Sequence, residues 1–391
     1  MNKEKTSLSF LIILSAFMAF TSLSTDIYLP AMPSMQADLG GRAELTVTGF
    51  VIGFALAQLI WGPISDHIGR KKPLFIGTIL FVIGSIGCAL SPSMETVVIW
   101  RVFQALGACT GPMISRAMIR DRYDSTKAAQ MLSTLMMIMA AAPIIGPLLG
   151  GGLLSLGSWR LIFWLMVIIG IVLFLSVNLL PETLEKEKRG SLSLENSFRN
   201  YAFLLKSKKF MVYTMSVTFF YVAVYAFITG SSDIYINYFH IQPKVYSLLF
   251  GVNILGVSLM SMLNRRLVTH FNISRLLAIS TSLAFIFSVI LAVMGVTHSF
   301  GLLGIVIPMF LVFSMNGIVA ACANAAALNT VSSDMSGSAA ALLGSLQYGS
   351  GVVPSVLLAV FADKTAATMT IIIEISIFLS ALMARLGKNN I

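Results

Sequence analysis

Charged residues are scarce in this sequence, at 11% of the total, where a soluble domain carries about 25%. With 57% hydrophobic residues and a mean hydropathy of +0.88, the chain cannot offer water enough polar surface. A water-soluble globule is excluded. Cysteine is nearly absent as well. Cys88, Cys109 and Cys322 are odd in number and each falls within an apolar run, so they read as small apolar packers with no disulfide or metal role. The four histidines, His67, His240, His270 and His298, all fall in loops or at the ends of apolar runs. None can carry protons at mid-membrane depth. Neither a phosphate loop nor a soluble nucleotide-binding stretch is present, and no cleavable signal peptide is evident, because the first apolar run is span-length.

What the sequence has in abundance is apolar runs of about the 20 residues that cross a bilayer. They fall roughly at 8–30, 45–65, 73–92, 95–118, 127–152 and 160–181, and again at 209–232, 245–264, 275–296, 300–323, 336–359 and 366–386. The expected fold is therefore an all-α membrane protein of twelve helices in two six-helix halves. Residues 1–181 and 209–391 form the halves, and a polar linker over 182–208 reads as solvated. The formal net charge of +10 invites a nucleic-acid reading, but the distribution of bases argues otherwise. With the N-terminus inside, only Arg42, Arg160, Lys244 and Lys364 face outward, and Arg101 alone lies within a span. The remaining lysines and arginines collect on the inner face, which puts both termini in the cytoplasm by the positive-inside rule.

The halves look like repeats. Thr25-Asp26-Ile27-Tyr28 ends span 1 and Ser232-Asp233-Ile234-Tyr235 ends span 7; Gly107 lines up with Gly317, and Asp124 with Asp334, at offsets of 207, 210 and 210. Two halves with a site at their interface is a transporter architecture. With no nucleotide domain, the energy must come from an ion gradient.

Three motifs carry chemistry. The loop Gly62-Pro63-Ile64-Ser65-Asp66-His67-Ile68-Gly69-Arg70-Lys71-Lys72 packs an acid, two glycines and three bases into one tight turn. It resembles the loop between spans 2 and 3 of the major facilitator superfamily. That resemblance implies a latch: Asp66 receives a helix N-terminus, and Arg70, next to Lys71, pairs with an acid near span 4, for which Asp121 and Asp124 are available. The latch would hold the cytoplasmic helix ends together in the outward-facing state. In span 5, Pro143, Gly146, Pro147, Gly150 and Gly151 resemble the Gly-Pro-x-x-Gly-Gly antiporter motif of proton-coupled exporters. Prolines bend a helix and glycines admit a close neighbour, so a bent span 5 would seal the cavity against proton leak. The alternative is a packing seam of small residues. In span 4, Arg101 and Gln104 resemble the family's Arg-x-x-Gln-Gly-x-Gly pattern, with one extra residue before Gly107. An arginine inside the membrane costs several kcal/mol unless paired or hydrated.

Asp26 and Glu374 are the acids within spans, with Asp233 at a margin. Asp26 lies about 27 Å along a helix from Leu8 at 1.5 Å per residue, a depth that Arg101 also reaches from the outer face. The expectation is an Asp26–Arg101 pair, in which Asp26 carries the proton and Arg101 sets its affinity. Burial disfavours a carboxylate's charge and a nearby guanidinium favours it, an opposition suited to loading and releasing a proton. Glu374, on a peripheral span, reads equally well as structural. Tyr28, Gln104, Tyr221, Tyr225, Asn253, Asn316, Asn324, Gln347 and Tyr348 are candidates for the substrate cavity wall. With 22 Met and 26 Phe, they suggest a plastic, largely apolar pocket.

Nearly the whole chain resembles the Bcr/CflA branch of drug:proton antiporters. The marks are Ser24-Thr25-Asp26-Ile27-Tyr28-Leu29-Pro30-Ala31-Met32-Pro33, the 2–3 loop, Arg101, the span 5 motif and Pro181-Glu182-Thr183-Leu184. The resemblance implies a proton-coupled multidrug efflux antiporter of the bacterial inner membrane, exporting small drug-like molecules of the bicyclomycin or sulfonamide type. It also implies no enzyme activity, no cofactor or metal and no nucleic-acid partner. Substrate, protons and the lipid bilayer are the expected partners of a monomer. A metabolite exporter is the alternative of the same class. A membrane sensor is a weaker one, since no soluble signalling domain is present.

Overall fold

The computed structural model describes residues 8–123, 125–185, 189, 194–332, 335–361 and 365–389. Asp124 and Asp334 lie outside the described residues. In lipid every backbone amide must find a partner within the chain, so the long apolar runs become helices. Eleven helical segments among the described residues are long and apolar enough to cross a bilayer. The remaining span is α7 (Ser125–Leu154), a 30-residue helix whose apolar stretch is Ala142–Leu154.

In the first bundle, span 1 is α1 (Leu8–Asp26), a 3₁₀ turn (Leu29–Ala31) and α2 (Met32–Leu39). Spans 2 and 3 are α3 (Glu44–Ile68) and α4 (Lys71–Leu90). Span 4 is α5 (Met94–Ala108) with α6 (Thr110–Arg122), span 5 is α7, and span 6 is α8 (Arg160–Ser176). In the second, α10 (Lys208–Ser232), α11 (Pro243–Leu267) and α12 (Ile273–Thr297) are spans 7 to 9. Span 10 is α13 (Gly301–Ser314) with α14 (Asn316–Leu328), span 11 is α15 (Ser336–Gly349) with α16 (Val352–Val360), and span 12 is α17 (Ala367–Asn389). The bundles meet along two seams, α3 against α15 and α16, and α7 against α11. Outward-facing apolar rows such as Ile76, Ile79 and Ile83 remain exposed, at the spacing of one helix face, as lipid contact requires.

The sequence repeats become structural ones at the ends of spans 1 and 7. α1 stops at Asp26, and α10 gives way to a π turn that opens at Asp233. Gly107 and Gly317 both sit where backbones touch, but against different partners. A Cβ on Gly107 would meet Gly77 O at 2.2 Å, on span 3, and one on Gly317 would meet Val257 O at 2.4 Å, on span 8. The pseudo-symmetry is thus inexact at that point.

Part of the linker is folded rather than solvated. α9 (Leu194–Lys206) buries Tyr201 and Leu204. The Tyr201 hydroxyl donates to Leu59 O at 3.1 Å on α3, while Asn200 Nδ2 lies 3.5 Å from Ser338 Oγ on α15. The helix therefore touches both bundles at the face that carries the basic loops. Burial and the neighbouring Asp66 charge push the Tyr201 hydroxyl pKa up to about 12. It therefore remains a donor at neutral pH. At the opposite face, Trp159 Nε1 donates to Asp38 Oδ2 at 3.0 Å, and Arg160 pairs with the same carboxylate. These contacts tie α2 to the start of α8.

Candidate functional site

The 2–3 loop is built as a charged knot. Gly69 closes α3 at φ +93°, a conformation that side chains resist, and a Cβ there would lie 2.5 Å from Glu182 Oε2. A Cβ on Gly62 would lie 3.1 Å from the Met113 methyl. Arg70 is buried. Its Nη1 donates to Asp66 Oδ1 at 2.6 Å and to Ser65 Oγ at 2.8 Å. Its Nε and Nη2 take Asp121 at 2.8 and 3.3 Å in a two-pronged grip. Burial opposes the Arg70 charge, but the Asp121 and Asp66 carboxylates outweigh it and hold the pKa above the ordinary arginine value. Lys71 Nζ reaches Asn178 O at 3.4 Å.

An acid beyond those expected joins this knot. Glu182 covers the exposed amides of the α4 start: Arg70 N and Lys71 N donate to it at 2.9 and 3.3 Å. Asp66 bonds Arg70 and lines a cleft that Gly337 and Ser338, in the first turn of α15, line from the other bundle. Glu182 and Thr183, which donates to Asp121 Oδ2 at 3.1 Å, belong to a motif visible in the sequence as Pro181-Glu182-Thr183-Leu184. Their role was hidden because more than 100 residues separate them from the loop. Arg70→Ala leaves Asp66 and Asp121 without their cation. For a knot that acts on conformational exchange, turnover is expected to fall at least tenfold, with substrate binding changed less than threefold. Glu182→Gln, which keeps the acceptor and loses the charge, is expected to cost only a few-fold. Paired transport and equilibrium-binding assays check this; an unchanged rate in Arg70→Ala reduces the loop to a topology signal.

The central pair is arranged differently from the expectation. Arg101 comes level with the end of α1 but makes no ion pair with Asp26. Its Nη1 donates to Ser24 O at 3.1 Å and to Gln104 Oε1, and its guanidinium lies 4.3 Å from the ring centroids of both Tyr28 and Phe50. The reason is helical phase. Ser24 and Tyr28, four residues apart, share one face of span 1; Asp26, two residues from each, projects from the other. That other face lies against α7, where a Cβ on Gly146 would be 3.4 Å from the Asp26 Cβ. Arg101 is therefore held within the first bundle by aromatic faces and a carbonyl, with Nε and Nη2 lacking a partner among the described residues. Asp26, 6% exposed, is the one carboxylate among the buried described residues. Glu374 is half-buried on α17. Asp233 accepts from Asn237 Nδ2 at 2.5 Å.

The span 5 motif is clamped from two sides. Pro143 and Pro147 interrupt the ladder of α7. A Cβ on Gly150 would lie 1.7 Å from Ile27 O, and one on Gly151 would lie 3.0 Å from Ser247 Oγ. Ser247 Oγ donates to Pro147 O at 2.7 Å from α11. The motif thus joins span 1 of its own bundle to span 8 of the other, beside Asp26.

The cavity candidates divide. Tyr28 and Gln104 are packed inside the first bundle: the Tyr28 hydroxyl meets Thr46 Oγ1 at 3.1 Å, and Gln104 Nε2 donates to Ser85 Oγ at 2.7 Å. Asn253 is buried and donates to Leu249 O in its own helix. Asn324 is half-buried, with its Oδ1 enclosed and unpartnered among the described residues. Tyr221, Tyr225 and Tyr348 do come together, with Tyr221 to Tyr348 at 5.8 Å and Tyr221 to Tyr225 at 6.3 Å between centroids. Gln347 and Asn316 lie beside the Tyr221 hydroxyl. Phe54 of α3 joins this cluster across the seam, 5.0 Å from Tyr348. Phe54 was not singled out in the sequence, because one more phenylalanine in an apolar run carries no local signal. Below the cluster a cleft of about 250 Å³ opens on the basic face.

Two broken-helix bundles meeting at two seams, around one buried acid, define a membrane transporter. The Major Facilitator Superfamily profile matches residues 12–355, and the chain belongs to that superfamily. An uncharacterized MFS-type transporter of Bacillus subtilis, YdgK, is 34% identical over 99% of this chain and 98% of its own length. A bicyclomycin resistance protein homolog of Haemophilus influenzae is 27% identical over 98% of this chain and 96% of its own. Among solved structures, the partially occluded inward-open xylose transporter XylE from E. coli superposes with a TM-score of 0.74 at 14% identity, covering 97% of each chain.

Proposed function

We propose that the protein is a proton-coupled exporter of small drug-like molecules in a bacterial inner membrane, with its basic face and both termini in the cytoplasm. The observation that carries this reading is the placement of the span 5 motif. Gly146 and Gly150 bring α7 against span 1 at Asp26, and Ser247 bridges the same stretch to α11. A carboxylate beside a seam between moving halves can meet water from one side and then the other as the seam opens, which is what coupling by alternating access requires. The name of the Haemophilus relative supports the substrate class. The bias of lysines and arginines toward one face supports the orientation. The residue pairing that we now assign to coupling is Asp26 with the α7 glycines, and Arg101 fixes the shape of span 1 from its opposite face. Everted membrane vesicles test the function. Uptake of a lipophilic efflux dye is expected to rise several-fold when the vesicle interior is acidified, and to collapse when the pH gradient is dissipated. Gradient-independent uptake, or uptake of a small polar metabolite with no dye transport, would reject the drug-efflux reading.

A further inference from the structure

The cleft on the basic face is lined by four charged side chains, Asp66, Arg70, Arg116 and Arg120. Their charges do not cancel. Asp66 pairs with Arg70, and Arg70 is held in addition by Asp121. Arg116 and Arg120 have no carboxylate within ion-pair distance among the described residues. Arg116 spends only its Nε, which donates to Pro112 O of its own helix at 2.9 Å. Gln58 lines the same cleft and lies one turn from Phe54 on α3, which packs on Tyr348, so the cleft that Arg116 lines adjoins the Tyr221–Tyr348 cluster.

We propose that this cleft takes up the substrate and that Arg116, with Arg120 beside it, selects compounds bearing a planar anionic group, such as a carboxylate, over cations. A cleft with protein walls and uncompensated charge of one sign concentrates solutes of the opposite sign. A guanidinium offers two parallel donors to a planar anion, which an ammonium cannot match. The aromatic cluster above supplies faces for the rest of the molecule. The inference deepens the efflux reading and rests on it.

The test is binding to the purified full-length protein in detergent, followed by fluorescence polarisation. The two probes are of similar size, one a carboxylate-bearing xanthene dye and the other a quaternary-ammonium dye. The anionic dye is expected to bind about tenfold or more tightly than the cationic one, with affinity falling as salt is raised. Arg116→Gln is expected to weaken the anion about tenfold and to leave or improve cation binding. Arg116→Lys should retain part of the affinity and serves as the folding control, with Arg120→Gln a smaller loss. Equal affinity for the two dyes, or an Arg116→Gln protein that binds the anion as the parent does, overturns this inference and leaves the efflux reading standing. Failure of the parent to bind either dye, together with no dye transport in vesicles, overturns both.

Discussion

Asp26→Asn is expected to abolish proton-driven efflux, with transport under a pH gradient falling more than tenfold, while substrate binding in detergent stays within a few-fold of the parent. Asp26 is the one carboxylate among the buried described residues, and it ends α1 against the glycines of α7. The amide keeps its size and polarity and removes only the proton it can exchange. The measurement is substrate-induced proton release from purified protein in weak buffer, which should vanish in Asp26→Asn and persist in Glu374→Gln. Normal release from Asp26→Asn, with release lost in Glu374→Gln, would transfer the coupling role to span 12. Arg101→Ala is a different kind of change. It removes the cation wedged between the Tyr28 and Phe50 rings and leaves Gln104 without its main partner.

Gly150→Ala is expected to have the second large effect. Its Cβ would stand 1.7 Å from the Ile27 carbonyl oxygen, a backbone atom that cannot rotate aside. Overpacking of this sort costs about 1–3 kcal/mol or more, and here it pushes α7 off the end of span 1. Transport should fall at least tenfold, and the melting temperature should drop by several degrees. Gly152→Ala, two residues on, is the control, because nothing lies within 4 Å of a Cβ there; it should transport and melt like the parent. Equal behaviour of the two variants would mean that α7 does not close on span 1 during the cycle.

Much of this site could be read in the chain. The 2–3 loop announces itself because four functional residues fall within nine positions, and Arg70 does meet Asp66 and Asp121. Asp26 stands out by elimination, since an apolar span tolerates an acid only for a reason. Gly150 was legible as a close-packing position from its motif. What it packs against was not, because Ile27 lies more than 100 residues away. Arg116 is one base among many on the basic face, and nothing in its local sequence sets it apart.

The sequence by itself determined the number of spans, their grouping in two halves and the clustering of bases in the loops of one face. These follow from hydropathy and counting along a helix, which are one-dimensional quantities. The tertiary structure decided which way each residue points. Arg101 and Asp26 reach the same level of span 1 on opposite faces, a difference set by two residues of helical phase at the point where α1 breaks into a 3₁₀ turn. It also decided that Glu182 covers the start of α4, and that Tyr28 and Gln104 close the first bundle while Phe54, Tyr221 and Tyr348 meet across the seam. Hydropathy fixes how deep a side chain lies, whereas its partner depends on how helices rotate and cross. That is settled only when all twelve pack at once.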